Sequence, residues 1–258
     1  MRTTPEVPRV IGVHVRTAGS PISHRNHHLE PLGSRAMLSA VFWGALLALH
    51  FVDRMITTSR AKLRQTLRAR RKQLSVAQQR QAARQVDQIV TRQRMLKRNQ
   101  SIAFYWPNDG EIDPSILLRN TARKGYHCYL PVLTTGNRLW FARYQPGDTL
   151  RTNRFGIPEP CTPRRYRKAW SLGLVFLPLV GFDRQGGRLG MGGGFYDRTF
   201  ASTRLLPTMS HPKLMGLAHH CQEVPSLEMA PWDIPLAAVV TDKEMIRVAS
   251  SPRQGSPE

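Results

Sequence analysis

Apolar residues in this chain recur at two different periods, and the change from one to the other organises it. Between residues 60 and 98 they fall three to four apart: Leu63 and Leu67 with Leu74 near the same spacing, then Ala82, Val86, Ile89 and Val90. That spacing predicts two short helices. Ser75 and Gln78 stand where a capping box would open the second. From Ser101 onward the pattern becomes short apolar runs alternating with amphipathic stretches. Strands are predicted over 101–106, 127–133, 138–144, 172–180, 213–220 and 236–241. The run LGLVFLPLV at 172–180 is apolar throughout, as a central strand buried on both faces requires. Asp113 and Pro114 predict an N-cap and first-turn proline for a helix ending near Lys124-Gly125. A further helix is predicted from Phe195 to about Leu206. Strands alternating with helices predict an α/β fold: a three-layer αβα arrangement around a mostly parallel, doubly wound, Rossmann-like sheet, preceded by basic N-terminal helices. One domain is expected over 55–248, followed by a flexible polar tail at 249–258.

Residues 1–54 do not share this pattern. They hold five of the nine histidines and no lysine, and show no amphipathic period. Residues 36–52 form a 17-residue apolar stretch, which at about 1.5 Å per residue only just reaches bilayer-spanning length. No A-x-A cleavage site with a secreted domain follows it. Met55 opens a segment that reads like a natural start. The expectation is a leader from a mis-set start, with a membrane anchor and a packed extension as the alternatives; without that leader, no membrane association is expected.

Charge narrows the partners. The 258 residues carry 38 Lys+Arg against 17 Asp+Glu, a net +21. Thirteen of the basic residues and a single acid, Asp87, lie between Arg60 and Arg98. Such a surplus predicts an anionic partner, and phosphate esters, polyglutamates, nucleic acid and lipid all qualify. With 41% hydrophobic residues and three cysteines, collagen-like, disordered and disulfide-scaffold classes are excluded. Cys128, Cys161 and Cys221 form no C-x-x-C pair, so reduced thiols in a cytoplasmic protein are expected.

The chemistry points to residues 186–198, GGRLGMGGGFYDR, with six glycines in nine residues between a buried strand and a helix. Such a loop can offer successive backbone N–H groups to an anion beside a helix N-terminus. Ligands also collect at the carboxyl ends of parallel strands. Two phosphate-binding fingerprints are absent. Gly187 and Gly192 have Walker A spacing, but Gly193 stands where lysine is needed. A G-x-G-x-x-G begun at Gly190 meets Phe195 at its third glycine. The cations of any such site would be Arg188, Arg198 and those of the basic helix.

These residues resemble the 5-formyltetrahydrofolate cyclo-ligases, also called methenyltetrahydrofolate synthetases. Arg188–Arg198 is similar to that family's R-L-G-x-G-G-G-F-Y-D-R signature. Leu177–Asp183 resembles its "PLVAFD" strand end, Phe155–Pro160 its "GIPEP" segment, and Asp109–Asp113 its "GEID" turn. Trp232–Leu236 followed by Val239-Val240-Thr241 resembles its closing motif. The resemblance covers roughly 58–246 and leaves out 1–54. It implies ATP- and Mg²⁺-dependent closure of 5-formyltetrahydrofolate to 5,10-methenyltetrahydrofolate, with release of ADP and phosphate through a phosphorylated formyl group.

By the same resemblance, Arg60 and Arg64 touch ATP, and Arg188, Leu189, Gly190, Met191, Gly192, Gly193, Gly194, Phe195 and Tyr196 cradle its phosphates. Arg188 and Asp197 are the expected catalytic pair. Asp197 and Asp233 are the expected Mg²⁺ ligands, Asp197 serving also as a helix cap. Glu111 holds the pterin edge, while Trp106 and Phe195 wall the folate pocket; Trp106 alternatively only ends a core strand. Basic side chains at the mouth would receive a polyglutamate tail. Many members carry lysine where this chain has Gly193. A monomer is expected, with no obligate nucleic acid. The competing readings are a basic RNA-binding module built on 60–98 and a family paralogue without activity; no helix-turn-helix, RRM or KH pattern accompanies the basic run.

Overall fold

A computed structural model describes residues 59–97, 100–161, 166–201, 212–229 and 233–248, all within one compact unit, Asp53–Glu258. The leader, the tail and Trp232 lie outside the described residues, as does the predicted helix beyond Ala201.

Both N-terminal helices are present, α1 over 59–72 and α2 over Val76–Arg92. The capping box opens α2: the Gln78 N–H donates to Ser75 Oγ at 3.2 Å and the Ser75 N–H to Gln78 Oε1 at 2.8 Å. Ala82, Ala83, Val86 and Val90 are its buried face. The next helix, α3, runs Ser115–Arg123. Its cap lies one residue later than predicted: Pro114 holds the N-cap position, and Asp113 Oδ1 accepts from the Ser115 N–H at 2.8 Å. Proline has no N–H to leave unsatisfied, so Asp113 serves the next donor in line.

Among the described residues, eight strands form the main sheet, in the spatial order β12-β11-β10-β7-β1-β2-β3-β6. They are β1 Ser101–Ala103, β2 His127–Leu133, β3 Leu139–Arg143, β6 Tyr166–Arg167, β7 Leu174–Pro178, β10 Lys213–Leu217, β11 Ala238–Val240 and β12 Met245–Arg247. The five central strands run parallel, while β3, β6 and β12 pair antiparallel at the two edges. The sheet is thus mostly parallel with antiparallel margins, and β7 is its buried centre. Alternate β7 residues feed two cores. Leu174 and Phe176 join Val86, Val90, Leu117 and Leu118 beneath α2 and α3. Val175 and Leu177 join Phe141, Phe200 and Val239 on the opposite face.

Two small hairpins complete the frame: β4 Leu150–Thr152 with β5 Pro158–Pro160, and β8 Gly181–Phe182 with β9 Arg188–Leu189. The second corrects the glycine-loop reading. Gly186 and Gly187 belong to the β8–β9 turn, where Asp183 Oδ1 accepts from the Gly187 N–H at 2.8 Å. Only Gly190 to Gly194 connect β9 to α4, Phe195–Phe200. The chain leaves β1 toward β2 on one side and β7 toward β10 on the other, so the adjacent carboxyl ends of β1 and β7 are the switch point of a doubly wound sheet. Glu111 follows β1 and the glycine loop follows β7.

Candidate functional site

The helix α1 reaches this switch point through its apolar stripe. Leu67, fully buried, packs with Val180, Leu189 and Val224, flanked by Leu63. Gly181 lets it close in, since a Cβ there would lie 2.5 Å from Leu67 Cδ1. The same stripe carries arginines at 60, 64 and 71, with Arg68 beside them, and all four find partners on the site segments. Arg60 Nη1 and Nη2 each lie 3.2 Å from Asp233 Oδ2, and Nη1 also donates to the Glu228 carbonyl at 2.9 Å. Arg64 Nε donates to the Gly190 carbonyl at 2.9 Å. Burial, followed by the nearby Arg60 cation, lowers the Arg64 pKa.

Arg188, on β9, is 7% exposed. Its Nε donates to the Ile234 carbonyl at 3.0 Å and its Nη2 to Asp197 Oδ1. One guanidinium thus ties β9, the first turn of α4 and the 233–236 segment together. Asp197 is not the helix cap: Gly194, with φ +62°, holds that position, and Asp197 lies in the first turn. Gly192, at φ +94°, takes a conformation that a side chain would strain. Among the described residues, no backbone or side-chain group accepts from the N–H groups of Gly190, Met191, Gly192, Gly193 or Gly194. The amides of the loop are therefore open to an external acceptor.

Arg198, expected among the cations of the loop, donates through Nη2 to the Gly193 carbonyl and through Nε to the Asn137 carbonyl at 3.3 Å. Its guanidinium lies 5.6 Å from the Phe195 ring, and Phe155 of the β4–β5 loop meets that ring edge-on at 5.5 Å. Tyr196 stacks parallel to Phe200. Leu189 is fully buried, so its side chain takes no part in a ligand surface.

Across the switch point, the Glu111 side chain is 8% exposed. Burial pushes its carboxyl up to about 7, with Arg71 pulling it down. Asp109, two residues earlier, is held well below the usual carboxylate range, first by its hydrogen bond from Arg68 and then by Lys72 and Arg71. Burial raises the Tyr196 phenol, and the Glu111 charge raises it further.

The profile of the 5-formyltetrahydrofolate cyclo-ligase family matches residues 56–242. The chain belongs to that family. The 5-formyltetrahydrofolate cyclo-ligase of Haemophilus influenzae is 37% identical over 185 residues, covering 70% of this chain and 97% of that one. The Escherichia coli K12 cyclo-ligase is 38% identical over 183 residues, 69% and 98% of the two chains. The solved structure of Aquifex aeolicus 5,10-methenyltetrahydrofolate synthetase superimposes with a TM-score of 0.64 at 27% identity, covering 76% of this chain and 96% of that one.

For this cyclo-ligase family member, most of the motif residues converge. Arg60, Arg64, Arg188, Asp197, Asp233 and the glycine loop form one connected set. Trp106 packs on the α2–α3 core, which also holds Ile112 beside Glu111, and meets Tyr144 edge-on at 6.4 Å, whereas Phe195 and Tyr196 pack on the other core. Asp197 and Asp233 supply hard oxygen donors, each already matched by a guanidinium. Among the described residues, the group of three donors close enough for one cation lies elsewhere, at His220, Glu223 and Glu244, where Arg184 bridges the two glutamates. On α1, Arg60, Arg64 and Arg71 turn to carboxylates and carbonyls of the site segments, whereas Lys62, Arg70 and Lys72 are exposed. Among the described residues no helix is long and apolar enough to cross a membrane.

Proposed function

We propose that the chain catalyses the ATP- and Mg²⁺-dependent cyclisation of 5-formyltetrahydrofolate to 5,10-methenyltetrahydrofolate, releasing ADP and phosphate. Family membership supports the reaction. The observation that carries the site is the run of open amides from Gly190 to Gly194, braced by Arg64 and Arg198 on loop carbonyls, with the buried Glu111 carboxylate across the switch point.

The chemistry explains why these groups are useful. A formamide oxygen leaves poorly, so it first attacks the γ-phosphorus of ATP, and ADP departs. N10 of the folate then attacks the activated carbon, the C–O bond breaks with loss of phosphate, and the N10 proton is released. No protein nucleophile is needed. The loop amides and the arginines receive charge spread over the phosphoryl oxygens and hold phosphorus against the formyl oxygen. Glu111 accepts from the amino and amide N–H groups of the pterin and so orients the ring. Phe195, with Phe155 on its edge, walls the pocket. Asp197 and Asp233 would hold Mg²⁺, two carboxylates leaving coordination positions for phosphate oxygens. When bound, the ion neutralises triphosphate charge. A monomer handling small-molecule substrates completes the proposal.

The test is absorbance of methenyltetrahydrofolate on mixing the protein with ATP, Mg²⁺ and 5-formyltetrahydrofolate. Turnover with one ADP per product is expected. No turnover, or turnover independent of ATP, would overturn the proposal.

A further inference from the structure

Arg71 on α1 is fully buried, although a guanidinium is costly to remove from water without partners. Its partners come from three segments. Nε donates to the Asp109 carbonyl at 2.8 Å and Nη2 to Asp109 Oδ2 at 3.0 Å. Nη1 donates to the Leu179 carbonyl, beyond β7, at 3.1 Å. Nη2 also lies 3.8 Å from Met191 Sδ in the glycine loop and 3.9 Å from Glu111 Oε1. One side chain therefore touches the turn after β1, the end of β7 and the loop before α4.

We propose that Arg71 is a positioning residue: it fixes the 108–111 turn against the glycine loop and keeps Glu111 in the charged form that a pterin edge requires. The inference rests on Glu111 being the folate contact. The groups facing Glu111 have opposing effects. Arg71 favours its charge and so does the Asn108 N–H, which donates to Oε2 at 3.1 Å; burial and Asp109 oppose it. The buried phenols of Tyr105 and Tyr196 feel its charge and stay neutral. His219, after β10, lies near Arg71, and burial lowers its pKa. Arg71 is thus the cation that opposes the burial of Glu111. Since that carboxyl titrates at about 7, the balance falls in the working pH range.

The experiment measures the folate KM of the full chain from pH 6 to 9, together with ¹³C NMR titration of the Glu111 carboxyl. Arg71→Met should move the inflection up by about one pH unit, raising the folate KM about fivefold at pH 7. Asp109→Asn should move it down, by a smaller amount. Asparagine accepts the Asp109 backbone, whose φ is +53°, so this variant tests the inference even where Arg71→Met does not fold. A Glu111 titration that stays put, or that moves the same way in both variants, overturns the role of Arg71. A titration that moves while the folate KM ignores it, as in a Glu111→Gln variant with unchanged KM, overturns the assignment of Glu111 instead.

Discussion

Besides Arg71, four arginines reach the glycine loop or its surroundings, and their partners divide them into two pairs. Arg60 and Arg188 are bound to the carboxylates of Asp233 and Asp197. Arg64 and Arg198 donate to loop carbonyls and, among the described residues, have no carboxylate within ion-pair distance. On the proposed reaction the second pair is the charge left over for phosphate, so Arg64→Met should raise the ATP KM by about tenfold or more, the loss of one charge-assisted contact, while the folate KM barely moves. Glu111→Gln should do the reverse, raising the folate KM about 10–100-fold, and the two KM values measured side by side check both assignments. Asp197→Asn should raise the Mg²⁺ concentration needed for half-maximal activity; an unchanged metal titration would remove Asp197 from the metal site. The motif made most of these residues legible. It did not reveal Arg71, because a basic residue in a run of thirteen reads as solvated. The available signal was position: Arg71 falls four residues after Leu67, on the apolar stripe of its helix.

At the scale of elements, α1 matters because one packing contact aligns a row of cations. Leu67 is its anchor on the β8–β9 hairpin. Leu67→Ala should cost about 2–5 kcal/mol of stability and also raise the ATP KM, since Arg60 and Arg64 lose their register with the loop; thermal melts and kinetics on one preparation would show both. Long elements with a single period were readable. The β2 strand matches its predicted 127–133 bounds, and α2 begins at the capping box foreseen for it. Short ones were not. The two-residue strands β8 and β9 carry no periodicity, so their hairpin merged with the glycine loop, and Gly186 and Gly187 were counted with glycines that do other work. Strand ends were over-extended where apolar chain continues past the ladder: Phe104 and Tyr105 are buried beyond β1, and Leu179 and Val180 beyond β7. The antiparallel pairing of β3 and β6 depends on partners rather than composition, and sequence alone did not order them.

For the whole molecule, Glu111 and Asp109 bend the pH response of the unliganded protein in opposite directions. The buried His219, whose pKa burial lowers, costs stability as it takes up a proton in acid. Glu111 titrates near 7 when folded, above its unfolded value of about 4.5, so the folded state holds its proton more tightly. Its contribution is present in full below pH 4.5 and fades as pH rises through 7. Asp109 is depressed, so its contribution exists above about pH 4 and fades in acid. The melting temperature of the wild type should therefore gain on that of Glu111→Gln between pH 8 and pH 5, and it should fall below pH 4. A chain begun at Met55 should retain activity, because the family match starts at residue 56 and every assigned site residue follows it. On the proposed reaction the glycine loop presents a phosphoryl group to the formyl oxygen of a folate held by Glu111. The most direct test is 5-formyltetrahydrofolate labelled with ¹⁸O in the formyl group. One ¹⁸O is expected in each phosphate released; unlabelled phosphate, with the label appearing in water, would refute this transfer.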